Sequence, residues 1–123
     1  MDYMYHGHGL MLGEPLLGRR LHDVRRTVQL LRALGATELT LLGRGQGCLL
    51  ALFAALLDPA LRLELCDPPS SCAAWVGERA CAWPAANFMT GMLRHFDLPD
   101  CYAALGDRLS VVHRRTCGEC ASL

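Results

Sequence analysis

Leu39-Thr40-Leu41-Leu42-Gly43-Arg44-Gly45-Gln46-Gly47-Cys48, continuing through an apolar run to Asp58-Pro59 and then Leu61-Arg62-Leu63-Glu64-Leu65-Cys66-Asp67, is the stretch on which the fold turns. Residues 38–42 are short and apolar, bounded by Thr37 and Gly43, which suits a buried strand. From Gln46 to Leu57 nearly every residue is apolar and a strong helix former, so this helix must be covered on most sides. Asp58-Pro59 ends it, and Leu61 to Cys66 reads as a second strand, parallel to the first through a right-handed crossover.

Outward from this unit the pattern stays legible. Leu21, Val24, Val28 and Leu31 recur at helical spacing with Arg and Gln on the other face, and Gly35 stops that helix. Residues 1–18, with Gly7, Gly9, Gly13 and Gly18 and no clear period, read as a loop segment. On the other side, Asp67 to Ser71 is a loop, residues 73–79 form a short helix and residues 86–95 are weakly helical. Asp97-Leu98-Pro99-Asp100 has the features of a helix start: Pro in the first turn, and acids near the positive end of the dipole. Its helix stops at Gly106, and residues 109–113 read as a third strand. The division expected is therefore a loop over 1–18, an α/β domain over 19–113 with a short parallel sheet of about three strands and flanking helices, and a flexible polar tail over 114–123.

Composition narrows the function. The chain has 123 residues, 52% of them hydrophobic, enough to build a core and too many for intrinsic disorder. Its formal net charge is zero, and all twelve basic residues are Arg; neither nucleic acid nor an anionic membrane is an expected partner. Arg19-Arg20, Arg25-Arg26 and Arg114-Arg115 read as solvated faces, and Asp23 with Arg26 or Arg19 as a surface helix pair. The seven cysteines are odd in number and irregularly spaced, and the first seven residues lack a signal-peptide pattern. Reduced thiols in a cytoplasmic protein are the expectation, and the longest apolar run, residues 48–57, is too short to span a bilayer.

A strand entering Gly-x-x-x-Gly and then a helix has two functional meanings. One is the nucleophile elbow, Gly-x-Ser-x-Gly, whose tight turn lifts the central side chain above the sheet beside the N–H groups that stabilise an oxyanion. Here Gly43 and Gly47 hold the outer positions, Arg44 and Gln46 the intervening ones, and Gly45 the centre. With residues 18–26, 41–59 and 93–112 taken together, the chain resembles the C-terminal half of an α/β-hydrolase of the acetyl-xylan-esterase and dienelactone-hydrolase type, over roughly residues 16–113. The resemblance implies a carboxylic-ester hydrolase; three departures argue against an intact one. Gly45 stands where the nucleophilic Ser belongs, no carboxylate follows the third strand before Glu119, and no His follows His113. The early strands and their oxyanion loop have no counterpart. The resemblance therefore points to a degenerate or truncated esterase-like domain without serine-hydrolase activity, with no cofactor or metal. A partner chain or second copy covering an exposed sheet edge is expected with it, although no partner can supply a serine at position 45.

The second meaning is dinucleotide binding. Gly43-x-Gly45-x-x-Cys48 approximates G-x-G-x-x-G/A, and Asp67 ends the next strand where a ribose-binding acid belongs. Pro68-Pro69 directly after that acid counts against it. Among the remaining candidates, Cys48 reads as a buried small residue rather than a displaced nucleophile. Cys117-Gly118-Glu119-Cys120 has no second ligand pair, even with His113, His6 and His8 considered, and His6-Gly7-His8-Gly9 reads as a loop rather than an oxyanion element. Trp75 and Trp83 are expected to cap the core.

Overall fold

A computed structural model describes residues 2–113. The element order is α1 (Asp2–Met11), α2 (Leu16–Ala33), β1 (Leu39–Arg44), α3 (Gln46–Leu57), β2 (Leu61–Cys66), α4 (Cys72–Gly77), α5 (Leu98–Leu105) and β3 (Leu109–Val112), with 3-10 turns at Ala85–Asn87, Met92–Arg94 and Gly106–Arg108. The strands form one parallel sheet in the order β1-β2-β3. The expected α/β architecture is the one observed.

The alternation within β2 explains the layering. Leu61, Leu63 and Leu65 are almost completely buried, whereas Arg62 is exposed between them. With a side-chain period of two, this assigns the leucines to the face under α3 and the intervening residues to the opposite face. On the covered side, α3 packs on both β1 and β2, while α2 and α5 pack against α3 itself. That enclosure is why α3 can be apolar all round: Cys48, Leu49, Ala51, Leu52, Phe53, Ala54 and Ala55 are all buried. Register places Thr40, Leu42 and Arg44 beside Arg62, Glu64 and Cys66 on the other face, with Ser110 and Val112 completing the rows. Leu42 is 73% exposed there, so among the described residues no helix layer covers this face.

Two polar devices tie the ends of the layers together. Arg32 at the end of α2 donates to both carboxylate oxygens of Asp58, at 2.6 and 3.1 Å, fixing the turn after α3. Arg108 reaches from the β3 side and donates to the carbonyls of Ala55 and Asp58, at the C-terminal end of α3, and of Leu61 at the start of β2. Trp75 is buried, as expected of a core cap, and stacks on Trp83 with ring centroids 4.8 Å apart.

The N-terminal reading needs correction. Residues 1–18 are not a loop: α1 occupies Asp2–Met11, and α2 begins at Leu16. Gly7 and Gly9 suggested a broken chain, yet Gly9 serves close packing, because a Cβ there would strike the backbone of Glu14. The Glu14 amide donates to the Gly9 carbonyl at 2.8 Å, Asp2 pairs with Arg20 at 2.9 Å, and α1 also packs on the Ala85–Asn87 turn. α1 thus belongs with the domain expected to start at residue 19. The weak helix expected over residues 86–95 is likewise two short 3-10 turns, separated by Gly91 with φ +79°. The tail expected over 114–123, with Cys117 and Cys120, lies outside the described residues.

Candidate functional site

The two glycines that define the elbow are held for different reasons. Gly43 is buried in β1, and a Cβ on it would approach the Leu65 side chain at 2.8 Å and the Cys48 Cα and Gly47 carbonyl at 2.9 Å. It permits the close strand–helix contact. Gly45, the N-cap of α3, has φ 56° and ψ −127°, a conformation favoured by glycine because a side chain strains it. A Cβ at Gly45 would meet nothing within 4 Å. The turn therefore opens outward at its centre, while Gly43, two residues earlier, is tightly packed. Gly47 also has open space around a built Cβ, so its smallness is not required by packing.

Arg44 ends β1 and is exposed, whereas Gln46 begins α3 and accepts a hydrogen bond through its side-chain oxygen from Arg20 at 3.3 Å. Since Arg20 also binds Asp2, the start of α3 is linked to both N-terminal helices. Cys48 is 1% exposed and its Sγ lies 3.5 Å from the Cys66 carbonyl. Burial pushes the Cys48 thiol above its ordinary range, helped by the nearby Cys66 thiol and Asp67 carboxylate. These are the reverse of the conditions that make a thiolate nucleophile.

Parallel register brings a further group to the same edge. Arg44, Cys66 and Val112 form one row across the sheet, so Gly45, Asp67 and His113 are the next residues to leave it. Adjacent strands are about 4.8 Å apart, which sets the scale of that row. Asp67 has φ +48°, unusual for a residue with a side chain, and its amide donates to the Val112 carbonyl at 3.1 Å. Its carboxylate lies 3.6 Å from His113 Nδ1, and both side chains are more than half exposed. The sequence treated Asp67 and His113 separately; the signal that joins them is the equal ending of three parallel strands.

Tyr102 borders this region from α5, donating its hydroxyl to the Pro69 carbonyl, and burial holds the phenol above its usual range. Among the described residues no cluster of three or more His, Cys, Asp or Glu could hold a metal ion, and His6, read as part of a loop, is buried in α1. A surface concavity of about 600 Å³ lies elsewhere, in the α1–α2 corner, lined by Glu14, Arg19, His22 and Asp23 among others.

Comparison with protein-family models, curated proteins and solved structures gives no match. Among the described residues no helix is long and apolar enough to cross a membrane.

Proposed function

We propose that the chain is a degenerate, hydrolase-like α/β module that retains the elbow as a packing turn and carries out no serine-type acyl transfer. One observation carries this reading: Gly45 adopts the sharp strand-to-helix turn at φ 56° and ψ −127°, yet offers no side chain where a nucleophile would rise. Cys48, the nearest thiol in sequence, is buried beneath the turn and cannot take the role. The free thiols at Cys48, Cys66, Cys72, Cys81 and Cys101 fit a reducing, cytoplasmic setting.

The purified chain is expected to hydrolyse p-nitrophenyl acetate no faster than a folded control protein. Turnover well above that background, abolished by a serine- or cysteine-directed reagent, overturns the reading.

A second reading, dinucleotide binding, draws on Asp67. It follows the strand adjacent and parallel to β1, and Cys48 supplies the small third residue against Gly43. Thermal-shift titration with NAD, NADP and FAD tests it. A saturable rise in melting temperature, lost in Asp67→Ala, favours this function over the first; no rise with any of the three removes it.

A further inference from the structure

Cys117-Gly118-Glu119-Cys120 has the spacing of half a metal site and no second pair near it in sequence; the sheet supplies one. Cys66 and Val112 are register partners on β2 and β3, so His113 leaves the sheet next to Cys66. The Asp67 carboxylate spans the two. The Cys66 thiol donates to one of its oxygens at 3.9 Å, and the other lies 3.6 Å from His113 Nδ1. Cys66 is a free, half-buried thiol, and the His113 side chain is exposed and able to turn toward it. His113 and Cys117 are four residues apart, at most about 14 Å of extended chain. Zinc bonds of about 2.0–2.3 Å gather the ligand atoms within about 4 Å of one another, well inside that reach.

We propose that Cys66, His113, Cys117 and Cys120 bind one Zn²⁺ ion at the ends of β2 and β3. Two ligands among the described residues make no site by themselves, so the set is completed by the two cysteines outside them. Three thiolates and one imidazole are the donor set of a closed, tetrahedral structural zinc site, whereas Mg²⁺ and Ca²⁺ call for oxygen ligands. Asp67 takes an outer place. A metal-bound histidine commonly gives its second ring N–H to a carboxylate, and Nδ1 beside Asp67 leaves Nε2 for the ion. Three thiolates around a doubly charged ion carry net negative charge. Arg44, in register beside Cys66, and the N-terminal end of α3, which starts from the same row, are positive groups that offset it. Because parallel pairing of β2 with β3 is what brings Cys66 and His113 together, binding of the ion adds to the stability of that pairing. The site needs neither acyl transfer nor a bound nucleotide.

Titration of the reduced full chain with Co²⁺, whose absorption reports geometry, tests this. One equivalent should bind with thiolate charge-transfer absorption and the intense visible bands of tetrahedral cobalt, and Zn²⁺ should displace it. Cys66→Ser and His113→Ala should each weaken Zn²⁺ binding at least about a hundredfold, and Asp67→Asn about tenfold. Cys81→Ser, at an exposed cysteine outside the set, should leave binding unchanged. Labelling of the unmodified chain with iodoacetamide, mapped by mass spectrometry, gives a measure that no substitution can disturb: Zn²⁺ should slow modification of Cys66, Cys117 and Cys120 but not of Cys81. Absence of binding by both ions overturns the proposal. So does binding that Cys66→Ser and His113→Ala leave intact, a cobalt spectrum of octahedral type, or protection confined to Cys117 and Cys120.

Discussion

Gly43 and Gly45 are two residues apart and answer to different demands. Replacing Gly43 by Ala forces a methyl into the Leu65 side chain and the backbone of α3. We expect it to lower the unfolding free energy by about 1–3 kcal/mol, read as a shifted denaturant midpoint. Gly45→Ser meets no atoms and is opposed only by its backbone conformation, again about 1–3 kcal/mol. If the elbow is only a packing turn, it should gain no esterase activity above the parent, even though Asp67 and His113 leave the sheet in the same row. Thiol reactivity is a second residue-scale test. Burial, with Asp97 and the thiols of Cys101 and Cys81 nearby, pushes the Cys72 thiol up to about 12. Cys48 and Cys101 are also raised chiefly by burial, and Cys81 is exposed. Brief alkylation at mildly alkaline pH, mapped by mass spectrometry, should label Cys81 and spare Cys48, Cys72 and Cys101. The elbow was legible because glycine spacing is a local signal. The partnership of Asp67 with His113 was not, because it depends on three strands ending in register.

At the scale of elements, Asp97 links two helices that sequence reading treats separately. It caps α5 in a reciprocal box, its carboxylate accepting from the Leu98 amide while its own amide donates to Asp100. The same carboxylate accepts from the Cys72 and Ala73 amides and from the Ser71 hydroxyl at the start of α4. Burial opposes its ionisation, yet the bonds from Ser71, Leu98, Cys72 and Ala73 outweigh that and hold it below the usual carboxylate range. Since the folded state favours the charged form, its stabilising contribution is complete above the unfolded pKa near 4 and is lost as pH falls below it. Denaturant unfolding between about pH 5 and 3 should therefore show a shallower loss of stability for Asp97→Asn than for the parent; equal slopes would assign the acid sensitivity elsewhere. The helix start at Asp97 was readable from Pro99 and the acids, but its grip on α4 spans a gap that no local pattern crosses. α1 was missed for a different reason. Periodicity assumes apolar residues inside, and here a histidine and a glycine face inward while tyrosines and methionines face out.

For the whole molecule, the sheet has one covered face and a single enveloped helix at its centre. The strand–helix–strand unit was legible because β2 alternates and α3 is apolar throughout, two periods that need no tertiary context. What the patterns did not contain was the placement of the rest, since α2 and α5 cover α3 through contacts distant in sequence.

The pairing of β2 with β3 also has a consequence for the order of events during synthesis. Residues 39–66 carry β1, α3 and β2, and they clear the ribosome before α5, one of the two helices that cover α3. The outer edge of β2, however, pairs with residues 109–112, and the Arg108 bonds to the end of α3 arrive with them. While residues 67–108 are being translated, that strand edge stays open, and an open edge is a template for pairing with a neighbouring nascent chain. A polysome spaces such chains closely, so this interval is when the protein is most exposed to misassembly.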